Sequence, residues 1–350
     1  MPIKLKDYRV RANLTQSELA KRIGVSQPSY QRWESGSSPI PDKKISELCK
    51  ILSVSSDTLM GRHPPINSHL YNDSVADDLS YYGEISIHFR GPGDPLLLSI
   101  SEASFSKAYS DIQSDGKFVV VRSFSNQTVA IRKSAIADLY FCSEAFDYFG
   151  PEHRIYKYID LHLPDNRDWE IVEALGSDFD LDDFDLSHVE RVKNAIMVTD
   201  DQYEKLVAEG RIPADQLEME KEKNEKITQD IFMLALNAKY QLSTGVIRTL
   251  PAYDKDAVYN SMCEIIDLNG EDTLDNMIIF PAEGGHQTAF IAHDALDYIS
   301  IPTHKYEAGS IEAASDFLET MEFSSLTPTR SSPGASTSRR RPRGSPPSPR

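Results

Sequence analysis

TQSELAKRIGVSQPSYQRWESG, running from Thr15 to Gly36, decides how the front of this chain folds. Thr15 followed three residues later by Glu18 is a capping-box pattern, which satisfies backbone groups that a helix start leaves unpaired. Leu19, Ala20 and Ile23 then recur at helical spacing. Gly24 stands where a helix end wants a left-handed residue. Val25 plugs the space between two helices, and Ser26 caps the second. Pro28 falls in the first turn, where a missing N–H costs little. On this pattern Tyr30 and Trp33 turn inward. Gln27, Ser29, Gln31 and Arg32 are left on the outward face, a row of polar side chains able to reach base edges.

Working outward, residues 2–12 form a preceding helix with Ile3, Leu5 and Tyr8 inward, and Gly36 to Pro41 is a loop. A fourth helix starts near Asp42 and places Ile45, Leu48, Cys49 and Leu52 on one face. Ser56 to Met60 is a short fifth helix, and Pro64-Pro65 ends the unit.

This arrangement resembles the DNA-binding domain of the Cro/cI-type helix-turn-helix regulators, the XRE family, over residues 1–62. The resemblance is carried by Leu5, Tyr8 and Arg9, by Leu14-Thr15-Gln16, Leu19-Ala20 and Gly24-Val25-Ser26, and by Trp33-Glu34-x-Gly36. Leu48, Leu52-x-Val54 and Leu59-x-Gly61 close it. It implies an all-α, lambda-repressor-like domain that binds double-stranded DNA. It also implies that Gln16 buttresses a phosphate contact and that Gln27, Pro28 and Arg32 hold the base-reading positions. Two residues depart from the family pattern: Pro28 replaces a common polar reader, and Cys49 stands where alanine is usual. Ser26, Ser29 and Gln31 share the reading face, while Ser35, Ser37 and Lys43 flank it as phosphate-side candidates.

At 350 residues the chain has room for two or three domains. It holds no run of eighteen apolar residues, so no membrane span is expected. The N-terminus lacks the apolar stretch of a signal peptide. Cys49, Cys142 and Cys263 form no metal or disulfide pattern, which fits a cytoplasmic protein. The net charge of −17 is unevenly spread. Residues 1–65 carry eleven Lys/Arg against six Asp/Glu, and the tail from Ser324 carries six Arg and no acid, which leaves −28 between them. A basic end can attract phosphates while an acidic body repels them. Solubility alone also accounts for an acidic body.

Beyond a linker at 66–81 the pattern changes to an α+β region. In residues 82–150, EISIHF (Glu84–Phe89) alternates with period two, GPGD is a turn, and Pro95–Ser101 is a second strand. Ala103–Ile112 is helical, Lys117–Phe124 and Thr128–Ile131 are strands about Asn126-Gln127, and Ser134–Phe141 closes the unit. The same order returns in residues 227–323. Asp230–Leu236 and Lys239–Leu250 form a hairpin about Asn237-Ala238, and Asp254–Ile266 is helical. Asn276–Phe280, Thr288–Ile291 and Ala295–Ile301 are strands, with a turn at Gly284-Gly285-His286. Gln127-Thr128, Ile131, Ala135-Ile136 and Leu139 match Gln287-Thr288, Ile291, Ala295-Leu296 and Ile299 at a constant offset of 160. The expectation is a repeated ββαββ unit whose copies pack on each other or pair across a dimer. The connector 151–226 is acidic and mixed, with a strand over 154–163, a capped helix at Asp200–Glu209 and a charged, solvated helix over Ala214–Lys226. The tail 324–350, rich in Ser, Pro and Arg, is expected to be disordered.

Enzymatic patterns are thin. Ser104-x-x-Lys107 has a serine–lysine spacing but no companion motif, so it reads as a helix surface. Asp178, Asp180, Asp182, Asp183 and Asp185 alternate as calcium ligands can, yet the EF-hand glycine and glutamate are missing, since Asp183 and Val189 stand there. His293-Asp294 has no further ligands. Neither a Walker loop nor a Rossmann glycine pattern occurs, and no cofactor, metal or catalysis is expected. The expected function is a dimeric, repressor-type transcriptional regulator. Its C-terminal region oligomerises or senses a protein or small-molecule effector. The competing expectation is an antitoxin-like protein that controls its own promoter and neutralises a basic partner through its acidic body.

Overall fold

The computed structural model describes residues 4–63, 66–67, 76–143, 161–177, 180–267, 277–282 and 287–326. The first span holds five helices: α1 (Leu5–Arg11), α2 (Gln16–Arg22), α3 (Gln27–Glu34), α4 (Asp42–Leu52) and α5 (Ser56–Met60). The capping box closes: the Glu18 N–H donates to Thr15 Oγ1 at 3.2 Å, and the Thr15 N–H donates to Glu18 Oε2 at 2.9 Å. Gly24 takes a φ of +67°, the left-handed conformation that ends α2 without strain. Leu5, Leu19, Tyr30, Leu48 and Leu59 are fully buried at the centre, with Trp33 closing the edge. Each such leucine stabilises the unit by roughly 1.5–3 kcal/mol relative to an exposed one.

A short pair, β1 (Ile66–Asn67) with a later strand, leads into the sheet region. There β2 (Tyr81–Phe89) and β3 (Leu96–Ser101) form a hairpin, followed by α6 (Glu102–Gln113). A second hairpin, β4 (Phe118–Ser123) and β5 (Gln127–Arg132), and a 3-10 turn lead to β6 (Ile136–Ser143), which returns to pair with β2. Next come β7 (Leu161–His162), the partner of β1, and four helices: α7 (Asn166–Gly176), α8 (Leu186–Ile196), α9 (Asp200–Ala208) and α10 (Leu217–Leu236). Then follow β8 (Asn237–Leu242), β9 (Ile247–Pro251), α11 (Lys255–Asp267), β10 (Met277–Ala282), β11 (Gln287–Ala292), a 3-10 turn, β12 (Leu296–Pro302) and α12 (Thr303–Leu326).

One antiparallel sheet of eight strands runs β6-β2-β3-β4-β5-β12-β8-β9. Residues 81–143 and 237–302 thus have the same order of elements, and in each the last strand pairs with the first. They differ in that, among the described residues, β10 and β11 pair with each other apart from the main sheet. The β4–β5 hairpin lies between two cores. Val119, Val121, Val129 and Ile131 face the core of Ile85, Ile87 and Ile100, whereas Phe118 and Ala130 face that of Ile278, Phe280 and Ile299.

Several expectations need correction. Asp230–Leu236 is not a strand but the last two turns of α10. Ile231, Phe232 and Ala235 recur at helical spacing and bury against α7 and α8, so the charged helix runs on past Lys226 as α10, while none of Ala214–Lys226 is buried, as expected of a solvated segment. The chain passes from α10 into β8 at Asn237 without a turn. α7 and α8 arise within the stretch taken as an acidic connector, built on Trp169, Ile171, Val172, Val189 and Val192. The 24-residue α12 follows β12 where the sequence carries no clear helical pattern, and it extends past Ser324 into the segment expected to be disordered. Gly309 serves the packing of α12, since a Cβ there would meet the Lys255 carbonyl oxygen of α11 at 2.6 Å. Ile3, Pro64-Pro65, the strand over 154–160, Asp178, the Gly284-Gly285-His286 turn and the tail from 327 lie outside the described residues.

Candidate nucleic-acid interface

The geometry of α3 starts at its cap. Ser26 Oγ accepts from the Ser29 N–H at 3.4 Å and sits 2.8 Å from Ser29 Oγ. With Pro28 in the first turn, the helix is fixed at its N-terminal end. Burial of Tyr30 and Trp33 sets its rotation. Gln27, Pro28, Gln31 and Arg32 are consequently exposed, and Ser29 is half-buried. Arg32 Nη2 reaches Ser29 Oγ at 3.4 Å, the edge of hydrogen bonding, so its guanidinium keeps most of its donors. Ser35 and Ser37 face solvent with their hydroxyls 2.8 Å apart, and Lys43 is exposed at the start of α4.

Beneath α3 is a buried polar cluster. Arg9, fully buried on α1, holds Glu34 at the end of α3 in a two-pronged contact: Nε to Oε2 and Nη2 to Oε1, both 2.9 Å. Arg9 Nη1 also donates to the Leu14 carbonyl at 2.8 Å. Gln16 Nε2 donates to Glu34 Oε1 at 3.0 Å. Burial opposes the charge on Glu34, but the Arg9 hydrogen bonds and charge outweigh it and hold the carboxyl below its usual range. The Tyr30 phenol is pushed up by the same burial and the nearby Glu34 charge. This cluster ties α1, α2 and α3 together. Lys44 adds a tie that the sequence did not announce, donating to the Ile23 carbonyl at the end of α2 at 2.7 Å.

Gln16 is placed differently from the other expected contacts. Its amide is committed to Glu34, and its backbone N–H donates to Glu319 Oε1 of α12 at 3.1 Å. α12 lies along α1, where Glu312 pairs with Lys6 at 2.6 Å and Ser315 accepts from Arg9 at 3.0 Å. On the other flank buried Asp165, at the head of α7, takes Lys4 Nζ at 2.6 Å and the His63 N–H at 2.9 Å. The acidic body is thus bonded to the basic residues of α1. Lys21, Arg22, Lys43 and Lys50 are exposed and form no ion pair among the described residues.

These ties carry a pH dependence. Asp165 is held below its usual range by Lys4 and His63 despite burial, and Glu312 by its Lys6 hydrogen bond. A carboxyl whose folded value lies below its unfolded one stabilises the fold above the unfolded value and loses that contribution as pH falls through the folded one. Asp7 on α1 works the other way: burial raises its carboxyl to about 6, so its charge costs stability above that pH and the cost is relieved as pH falls. Thermal melts are therefore expected to rise slightly from pH 7 to about pH 5 and to drop below about pH 4. Equal melting at pH 5 and pH 3 would contradict this account of the ties.

The described residues of the serine–lysine and aspartate patterns take part in local structure. The Ser104 N–H donates to Ser101 Oγ at the cap of α6, while Lys107 pairs with Asp111 one turn on. Asp185 caps α8, and Asp180 accepts from the Asp182 N–H. No His/Cys/Asp/Glu group that could hold a metal ion occurs among the described residues, and no helix among them is long and apolar enough to cross a membrane. A cleft between α5 and α8 is lined by Arg62, Arg167, His188 and Arg191, but neighbouring groups already pair with most of these side chains. His188 and Arg191 share Asp168, and Arg167 pairs with Glu170.

Residues 5–59 match the helix-turn-helix family model HTH_3. The front of the chain is thus a Cro/cI-type, XRE-family helix-turn-helix domain, the DNA-binding part of a transcription regulator. No curated protein and no solved structure matches the chain.

Proposed function

We propose that this protein is a sequence-specific transcriptional regulator of repressor type that binds operator DNA as an oligomer in the cytoplasm. The observation that carries the reading is the outward face of α3. Gln27 and Arg32 stand exposed on a helix whose opposite face is locked by Tyr30, Trp33 and the Arg9–Glu34 pair. In the major groove Arg32 would read a guanine and Gln27 an adenine, each giving about 1–3 kcal/mol of discrimination. Pro28, Ser26, Ser29 and Gln31 share that reading face, while Ser35, Ser37 and Lys43 serve the sugar-phosphate side. Selection of bound duplexes from a random pool by the full chain tests this. A single enriched motif is expected, whereas an unenriched pool would refute the reading.

Gln16 serves the phosphate side once Glu319 gives way. A carboxylate on the α2 N–H opposes an incoming phosphate in both position and charge. Glu319→Ala is therefore expected to bind operator roughly 3- to 10-fold more tightly, the worth of one hydrogen bond in competition. The gain should be largest at low salt. A fluorescence-anisotropy titration showing equal or weaker binding would remove Glu319 from this role.

In this reading residues 1–65 bind DNA, and 66–81 link them to a body containing a doubled unit, 82–150 and 227–323, separated by the helical connector 151–226. The tail 324–350 adds nonspecific phosphate contacts. The matching order of elements at 81–143 and 237–302 supports the duplication. The antitoxin alternative is less well supported, because Asp165, Glu312 and Glu319 of the body already engage this chain's own basic residues.

A further inference from the structure

We propose that a second copy of this chain lays its β6 edge against the β11 edge of the first. This repeats between chains the joint that β12 and β5 make within one. The inference rests on the duplication read above and concerns what covers an apolar face the fold leaves bare.

Within the chain, β12 pairs antiparallel with β5, matching Ile299 to Ala130 and Ser300 to Val129. Beside this joint Phe118 and Ala130, on the outer face of the β4–β5 hairpin, share one core with Ile299 and Ile301 and with Val258, Met262 and Ile265 of α11. Phe118 is 7% exposed and Ala130 0%, and Val120 packs against the same core. β11 lies 160 residues after β5 and β10 lies 159 after β4, with equivalent registers, Phe118 facing Arg132 as Met277 faces Ala292. The outer-face residues of the later hairpin are therefore Met277, Ile279 and Phe290. They are 50%, 43% and 63% exposed, and Ile279 and Phe290 lie directly opposite each other. The same face is dry in one hairpin and bare in the other.

The complementary edge is also present: no second strand pairs with the outer side of Ile136–Phe141 among the described residues. β6 occupies in the first unit the place of β12 in the second, so Leu139 and Phe141 correspond to Ile299 and Ile301. Ile299 and Ile301 are fully buried, whereas Leu139 and Phe141 are only half-buried. β6 pairs with β2 on one side alone, and β11 with β10 alone, among the described residues. An edge strand flanked by apolar side chains is a template for another strand. Transferring the internal register to the interchain joint sets Leu139 opposite Phe290 and Tyr140 opposite Ala289. The contact is head-to-tail. Two copies close through two identical joints if the rotation between them is 180°, and a ring forms at other closing angles. Either arrangement gathers several α3 helices into one particle, as recognition of paired half-sites requires.

The test is the mass of the full chain, without DNA, by sedimentation equilibrium at about 10 µM, a concentration where an apolar joint of this kind is populated. An oligomer is expected. Phe290→Asp should weaken association at least about tenfold, as loss of a central aromatic anchor does. Its circular dichroism should be unchanged, since the ring is outside the core. The pair Leu139→Cys with Phe290→Cys should give a disulfide between chains that neither single variant gives. A monomeric wild type, or an oligomer indifferent to Phe290→Asp, overturns the proposal. Phe290-sensitive association without the interchain disulfide also overturns it, because the patch then meets some other surface. Because no DNA is present, failure of operator recognition would leave this result standing.

Discussion

Arg9→Ala is expected to destabilise residues 4–63 by about 3–5 kcal/mol, the range for removing one partner of a buried ion pair. The lost attraction is only part of the cost. Glu34, with a side chain 4% exposed, would lose the partner that offsets the burial of its charge, and the Leu14 carbonyl would lose its guanidinium. Such a loss is comparable to the whole stability of a small domain. Arg9→Lys should recover little, because one ammonium cannot reach both Glu34 oxygens and the Leu14 carbonyl in the fork that Arg9 uses. Thermal unfolding followed by Trp33 fluorescence, in a Trp169→Phe background, reads this directly. A melting temperature within a degree or two of the parent would show that the cluster is not what holds α3 in place.

The second large effect concerns reading rather than folding. Gln27→Ala with Arg32→Ala removes two exposed side chains whose other neighbours are water and Ser29. Stability should stay within about 0.5 kcal/mol of the parent, as for most surface substitutions. Discrimination between operator and random duplex should fall by roughly a hundredfold or more, since each bidentate contact is worth about 1–3 kcal/mol. Nonspecific binding should be reduced only by the phosphate contribution of one guanidinium. This split between affinity for any DNA and preference for one sequence separates a base contact from a merely cationic surface.

What was legible in the sequence was local. Thr15, Glu18, Gly24 and Ser26 act within four residues of themselves, so the cap and turn geometry of α2 and α3 could be read directly. The alternation of Glu84–Phe89 and of Lys117–Phe124 likewise announced strands. Asp230–Leu236 was ambiguous because a short apolar run fits either period, and only burial against α7 and α8 decides it. α12 buries few residues on any one face, so its pattern is weak, and it is held by contacts scattered over α1, α7 and α11. The bonds that place α12 join residues about 300 positions apart, as with Gln16 and Glu319, and no spacing rule reaches that far. The bare face of Met277, Ile279 and Phe290 was hidden for the same reason. Its strands were visible, but which face lies open depends on where β12 pairs.

The most direct measurement is a pair of parallel selections from one random duplex pool, with the parent chain and with the Gln27→Ala, Arg32→Ala variant. The parent should enrich one motif, and the variant should lose preference at the base pairs those two side chains would read while still retaining DNA at low salt. The same motif recovered at the same strength from both proteins would contradict the central claim that α3 reads the sequence.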